Sequence, residues 1–313
     1  MRRRAGKSAA ALDLASCRGW GRNMYVDLER ALPPSMRRTA EDAVADWTVI
    51  IPFFNERELL PGTIASLARQ IVPFRLILVD NGSTDGSAAV AEAAARRHGL
   101  DHMLVTERTP GKVSALRAGF RWSRTRWTAT CDADTLYPPH YLATAEELLS
   151  RRNCVTAGAY FVDPGASADD RAARAGTIRM AARLLPRQSH TGGAGQAFCT
   201  ATLRAVGGFD PDRWNFVLED HEVIHRMMRK GTMLYSEALW CMPSPRERDR
   251  HSIRWNLFER IVYSAAAPWA GDWFFYSFLS RRLRRRRLLS QCIRERQFQQ
   301  IEETELVPTH SVR

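Results

Sequence analysis

Asp132 and Asp134 stand one residue apart at the end of the run Trp127-Thr128-Ala129-Thr130-Cys131. That run is β-branched and aromatic and reads as a strand. On an extended backbone, side chains at i and i+2 point to the same side. Two carboxylates so placed can share one hard divalent cation, Mn2+ or Mg2+, with the phosphate oxygens of a ligand. An Asp-rich turn would have the same composition, so the decision rests on the other strand ends. Asn55 and Glu56 close an apolar run that begins at Trp47, and Asp80 closes another that begins at Phe74.

Spacing identifies the elements that must position these residues. Residues 47–54 form an apolar strand, buried on both faces. Leu60, Ile64, Leu67 and Ile71 keep helical spacing over residues 58–70. Residues 74–79 form a second strand, and Asp85 is placed to cap the alanine-rich helix that follows. Residues 102–106 form a third strand. Thr109-Pro110-Gly111-Lys112 then turns into a helix that precedes the strand 127–131. Three strand–helix units in series predict a mostly parallel, doubly wound α/β sheet flanked by helices. Ligands of such sheets bind outside the carboxyl ends of the strands, where Asn55, Asp80 and Asp132/Asp134 all fall. Further on, residues 154–162 read as a strand and 167–185 as a helix. Gly192-Gly193-Ala194-Gly195 would let backbone approach a ligand. A helix at 221–230 follows Glu219-Asp220, and 234–240 reads as another strand. No Gly-x-Gly-x-x-Gly or Gly-x-x-x-x-Gly-Lys-Ser/Thr occurs, which disfavours a dinucleotide or P-loop site.

The 313 residues are 45% hydrophobic, enough for a sizeable core, and carry a formal net charge of +12 that favours anionic partners. Six cysteines are scattered without a Cys-x-x-Cys pair, as suits a reducing compartment. No apolar run reaches the roughly 18 residues that span a bilayer. Arg2-Arg3-Arg4 and Leu14-Ala15-Ser16-Cys17 give a faint export signal, but Lys7 and Asp13 interrupt it. Residues 1–45 are expected to be a flexible basic tail, 46–245 a catalytic domain, 246–296 a helical aromatic and arginine-rich extension, and 297–313 a second tail.

Six motifs in order resemble the inverting glycosyltransferases of family 2, which have the GT-A fold. They are Val49-Ile50-Ile51-Pro52-Phe53-Phe54-Asn55-Glu56; Asp80 to Asp85; Gly111-Lys112 with Ala115, Leu116 and Gly119; Asp132-Ala133-Asp134; Gly192 to Asp210; and Glu219-Asp220. The resemblance implies a doubly wound GT-A sheet and transfer of one sugar from a nucleotide-diphosphate sugar, by preference a UDP-sugar, to an acceptor hydroxyl on a glycan or glycolipid. It places Pro52, Asn55, Glu56, Asp80, Lys112 and Asp132 around the nucleotide. Asp132 and Asp134 would hold the metal, and Asp220 would be the general base. Lys112 has the alternative of a solvated helix residue. The processive members' Gln-x-x-Arg-Trp is met here by His251-Ser252-Ile253-Arg254-Trp255, and flanking membrane helices are missing, which argues for single transfer. His251 is a candidate third metal ligand, or else a surface histidine.

Two rival classes share the same residues. His221-Glu222-Val223-Ile224-His225 spells the zinc-peptidase signature His-Glu-x-x-His, although Met228 stands where the extended form needs glycine. Arg281 to Arg287 could grip nucleic acid, but no aromatic stacking motif or zinc finger accompanies it, so nucleic acid is disfavoured. Trp269, Trp273, Phe274, Phe275, Tyr276, Phe278 and Leu279 precede that run. Together they suggest docking on an anionic membrane surface, for a cytoplasmic protein peripheral on the cytoplasmic face.

Overall fold

The computed structural model describes residues 45–244 and 255–291. Residues 1–44 of the first expected tail, the whole of the second and His251 lie outside the described residues. The first part alternates as expected: β1 Trp47–Phe53, α1 Leu60–Leu67, β2 Phe74–Asp80, α2 Ser87–Arg97, β3 His102–Thr106, α3 Lys112–Phe120 and β4 Trp127–Cys131. There follow β5 Thr135–Leu136, α4 Tyr141–Leu149, β6 Cys154–Gly158, β7 Tyr160–Phe161, α5 Ala168–Leu184, β8 Gly195–Cys199 and α6 Thr200–Ala205. The remainder is α7 Glu219–Met227, β9 Thr232–Leu234, β10 Trp240–Pro243, α8 Leu257–Trp273, a π-helical turn Phe274–Leu279 and α9 Ser280–Arg285.

Seven strands form one sheet in the order β3-β2-β1-β4-β8-β6-β9. β1 lies between β2 and β4, parallel to both, and all seven of its residues are buried. Alternation divides its side chains between two cores: Val49 and Ile51 join one face, Ile50 the other. α3 lies against that second face because residue 119 is glycine. A Cβ there would come within 2.6 Å of the Ile50 side chain. Phe53 pairs with Asp80 at the strand ends, so the polar turns after β1 and β2 start side by side.

Three expectations change, and β8, which was not expected, runs antiparallel to both β4 and β6. The strand expected at 154–162 is two, β6 and β7, in different sheets. The strand expected at 234–240 is two, β9 and β10, because 235–239 leaves the main sheet. β10 then joins β5 and β7 in a small second sheet. The alanine-rich α2 has Gly86, in the left-handed conformation, at its N-cap, and Asp85 instead accepts the Ser87 amide at 2.9 Å.

The extension is helical, and its aromatic residues divide. Phe274, Phe275 and Leu279 are fully buried with Trp214, Tyr263 and Leu283. Trp269 and Trp273 face outward at 91% and 52% exposure. The arginines divide too. Arg282 and Arg286 reach Glu259 at 2.9 and 3.0 Å, and Glu259 is wholly buried. Glu259 also forms a capping box with Asn256 at the start of α8. Breaking a buried ion pair leaves a charge uncompensated. Glu259→Gln should therefore lower stability by about 2 kcal/mol, less than the roughly 3–5 kcal/mol of a fully buried pair, because both arginines keep a water-facing side. Urea unfolding measures it, and an unchanged midpoint would remove Glu259 as the anchor of the extension.

Candidate functional site

The carboxyl ends of β1 and β4, the start of α3 and the start of α7 meet in one cleft. Pro52, Lys112, Asp132, Gln196, Glu219 and Asp220 line it, with Gly193 as part of its wall. α7 opens on Leu218 in the left-handed conformation. Its first turn carries Glu219, Asp220 and Glu222, where the helix dipole favours negative charge. Lys112 Nζ bridges two elements, reaching Asp132 Oδ1 at 2.8 Å and Glu219 Oε1 at 3.2 Å. Burial alone would lower the Lys112 pKa, but Asp132 and Glu219 outweigh burial and raise it. The helix-face alternative for Lys112 is thereby set aside.

Asp220 is 8% exposed and lies 3.0 Å from His221 Nδ1, a charge contact off the line of a hydrogen bond. Burial pushes the Asp220 carboxyl up, yet His221 and Lys112 prevail and hold it below its ordinary value. His221 is the reverse case: burial lowers it, and Asp220 with Glu219 raises it above the usual imidazole value. Glu219 is raised by burial, with the Asp220 charge adding to the effect against the pull of Lys112. The cleft thus holds an ionised Asp220 beside a histidine that favours its cation.

The remaining expected residues brace this cleft. Asn55, at φ 52, accepts the Thr84 amide at 2.9 Å, and its own amide donates to Ser83 Oγ at 3.1 Å. The Glu56 amide donates to Ser87 Oγ at 2.8 Å. Asp80 Oδ1 accepts the Ser83 amide at 2.8 Å. These contacts fasten the β1 and β2 turns together; none of the three residues lines the cleft itself. Asp134 is buried, and its carbonyl accepts the Ser244 amide at 2.8 Å.

Sequence reasoning missed Gln196 and Tyr137. Gln196 is 1% exposed, lines the cleft, and its side-chain nitrogen finds no partner among the described residues. Tyr137 accepts the Asp132 amide at 2.8 Å and donates to the Ala194 carbonyl, so it ties the aspartate pair to the glycine-rich segment. The glycine cluster was the only signal for either. At Gly193 a Cβ would lie 3.0 Å from the Cβ of Asp220.

Among the described residues no group of three or more His, Cys, Asp or Glu gathers around one point. Mg2+ sites that take phosphates use one or two carboxylates and leave the remaining positions to phosphate oxygens and water. Asp132 lines the cleft with the Lys112 ammonium lodged against it, whereas Asp134 is buried and is not among the lining residues. Of the pair, Asp132 is the carboxylate open to a ligand in the cleft.

The zinc-peptidase reading fails on partners. Glu222, which would have to act on water, is 2% exposed and held by Arg226 at 2.7 and 2.8 Å and by the Tyr276 hydroxyl at 2.5 Å. His221 faces Asp220, whereas His225 Nε2 bonds Asp272 at 2.8 Å.

The profile described as Glycosyl transferase family 2 matches residues 48–206. An undecaprenyl-phosphate 4-deoxy-4-formamido-L-arabinose transferase of Sodalis glossinidius is 35% identical over 33% of this chain and 33% of its own length. The protein of the same name from Proteus mirabilis is 39% identical over 32% of this chain and 33% of its own. The matched segment thus spans about a third of these relatives. A mannosyltransferase from Pyrobaculum calidifontis, solved in complex with GDP-Man and Mn2+, aligns with TM-score 0.59 and 20% identity, covering 83% of this chain and 76% of that one. S. aureus TarS in complex with UDP-GlcNAc aligns with TM-score 0.51 and 17% identity, covering 75% and 72%. These two likenesses carry the fold, a GT-A sheet.

Gly193→Ala should press on Asp220 and lower glycosyl-transfer turnover about tenfold, since small misplacements near reacting groups are costly. Gly176→Ala, where nothing lies within 4 Å of the new methyl, is the control and should leave turnover intact. Equal turnover in both variants would detach the glycine-rich segment from Asp220.

Proposed function

The chain belongs to glycosyl transferase family 2, and from that premise we propose that it moves one sugar from a nucleotide-diphosphate sugar to a polyprenyl phosphate. The observation that carries the reading is the cleft itself, where buried Asp220 faces Lys112 and Asp132 at the carboxyl ends of the sheet. The sequence resemblance points to a hydroxyl acceptor. The names of the relatives move the proposal to a phosphate oxygen.

Asp80, at the end of β2, receives the nucleotide base, and Lys112 supports the diphosphate. A UDP-sugar remains the proposed donor; chains of this fold have been solved with GDP-Man and with UDP-GlcNAc, so the sheet serves either. A divalent cation held by Asp132 and Asp134, Mn2+ or Mg2+, would neutralise charge on the departing diphosphate. The acceptor oxygen forms a bond to the anomeric carbon as the sugar–phosphate bond breaks, and the electron pair leaves with the nucleotide diphosphate. One displacement inverts the anomeric centre. Asp220 takes the proton of a protonated acceptor, and its lowered pKa keeps it ionised for the task. His221 and Lys112 offset the negative charge that acceptor and donor bring together.

Two experiments test this. In a thermal-shift screen, UDP with Mn2+ should raise the melting temperature of the native protein. Asp134→Ala should lose the metal-dependent part of that shift while keeping its own melting temperature. An undiminished shift would sink the metal assignment.

The second uses pH to tell a phosphate acceptor from a hydroxyl. A phosphate monoester has its second pKa near 6. Below that it carries a proton that Asp220 must take; above it the proton is gone. Loss of a general base costs about 10²–10⁴ in rate. Asp220→Asn should therefore cost only about fourfold at pH 5.5, where roughly a quarter of the phosphate has already lost its proton, and almost nothing at pH 8. A loss that stays large at pH 8 would identify a hydroxyl acceptor instead.

A further inference from the structure

We infer that the outward face of α8, with the exposed arginines of α9, is a docking surface for an anionic lipid bilayer. The inference deepens the lipid-acceptor reading and draws its use from it, although its evidence is separate. α8 has a buried face and an exposed apolar one. The inner one carries Glu259, Tyr263, Ala267 and Gly271, all buried. The outer one carries Leu257, Phe258, Ile261 and Trp269, at 74%, 55%, 58% and 91% exposure. At about 100° per residue these four fall on one side of the helix. A contiguous exposed apolar strip marks an interaction surface.

The patch continues onto the next elements. Phe258 lies 6.0 Å from Phe278, and Phe278 stacks on Trp273 at 5.5 Å. Arg282 sits over both phenylalanine rings, at 5.3 and 5.6 Å. On the same two helices Arg260, Arg281, Arg284 and Arg285 are exposed. The nearby acids are engaged: Glu259 with Arg282 and Arg286, Asp272 with His225 and Arg229.

Charge chooses the occupant. A second copy would meet this face through a twofold contact, which would set arginine against arginine. Anionic headgroups meet the arginines with opposite charge, while tryptophan and aliphatic side chains enter the acyl boundary. Phe274, Phe275 and Leu279 are committed to the interior and take no part.

The test is co-sedimentation of the full chain with vesicles of phosphatidylcholine alone or with one-third phosphatidylglycerol. Binding should require the anionic lipid and weaken as salt rises. Replacing Arg281, Arg284 and Arg285 with Gln should reduce partitioning on the order of a hundredfold, three cations being removed. Ile261→Ser with Trp269→Ser should reduce it about tenfold or more. All five side chains are exposed, so melting temperature and the nucleotide-induced shift should stay as in wild type, which guards against misfolding as the cause. Equal binding to both vesicles, or none, would overturn the inference. So would a solution dimer abolished by Ile261→Ser with Trp269→Ser in a chain that ignores vesicles. Failure of transfer to a short-chain, water-soluble polyprenyl phosphate with vesicle binding intact would instead count against the acceptor.

Discussion

Lys112 holds together charges that could not otherwise be neighbours. Asp132 ends a sheet strand, Glu219 and Asp220 open a helix, and the three carboxylates converge on one cleft. Without a cation among them their repulsion would push β4 and α7 apart, because partial burial strengthens like-charge terms. A single ammonium within 3.2 Å of two of them binds α3, the sheet and α7 at one point. The placement of Lys112 follows from its neighbours. Asn81 accepts the Gly111 amide at 2.8 Å, which ties the turn after β2 to the start of α3. Gly119 at the other end lets α3 settle on Ile50 and Val79.

α7 is fixed from behind by the extension rather than by the sheet alone. The Tyr276 hydroxyl and Arg226 together hold Glu222, and Asp272 holds His225. His221 packs on the rings of Trp255 and Tyr263, 5.2 and 6.3 Å away. The Tyr263 hydroxyl in turn accepts the Ser189 amide at 3.3 Å, next to the glycine-rich segment. Each residue of His221-Glu222-x-x-His225 is therefore occupied by structure. Two histidines at i and i+4 share a helical face for packing reasons as readily as for a metal, and only their partners distinguish the cases.

The positions and ends of the parallel strands were legible from sequence because a strand buried on both faces leaves an unbroken apolar run, and turns interrupt it abruptly. Trp127–Cys131 and His102–Thr106 fall where spacing puts them. The direction of β8 was not legible. Gly195-Gln196-Ala197-Phe198-Cys199 is short and small, and pairing direction depends on the partner strand rather than on these residues. The extension was legible as helical and aromatic, but not which rings face inward. Phe274 and Trp273 are adjacent and differ only in helical phase, and Pro268 with the non-helical Ala270 shifts that phase just before them. Which arginines pair was equally hidden, since Glu259 meets Arg282 and Arg286 only after the chain has turned back.

The two surfaces of α8 join the cleft to whatever covers the extension. Its inner backbone approaches α7 so closely that a Cβ at Gly271 would overlap the His225 ring. Its outer side chains are the exposed apolar strip. One helix diameter, about 10 Å, therefore separates α7 from that outer boundary. A lipid layer on the strip would lie across α8 from α7, the helix that carries Asp220. The same closeness explains why the extension spends a buried glutamate and two arginines on holding its own turn. A helix pressed between a charged cleft and an apolar cover keeps its position only if its ends are fixed independently of both.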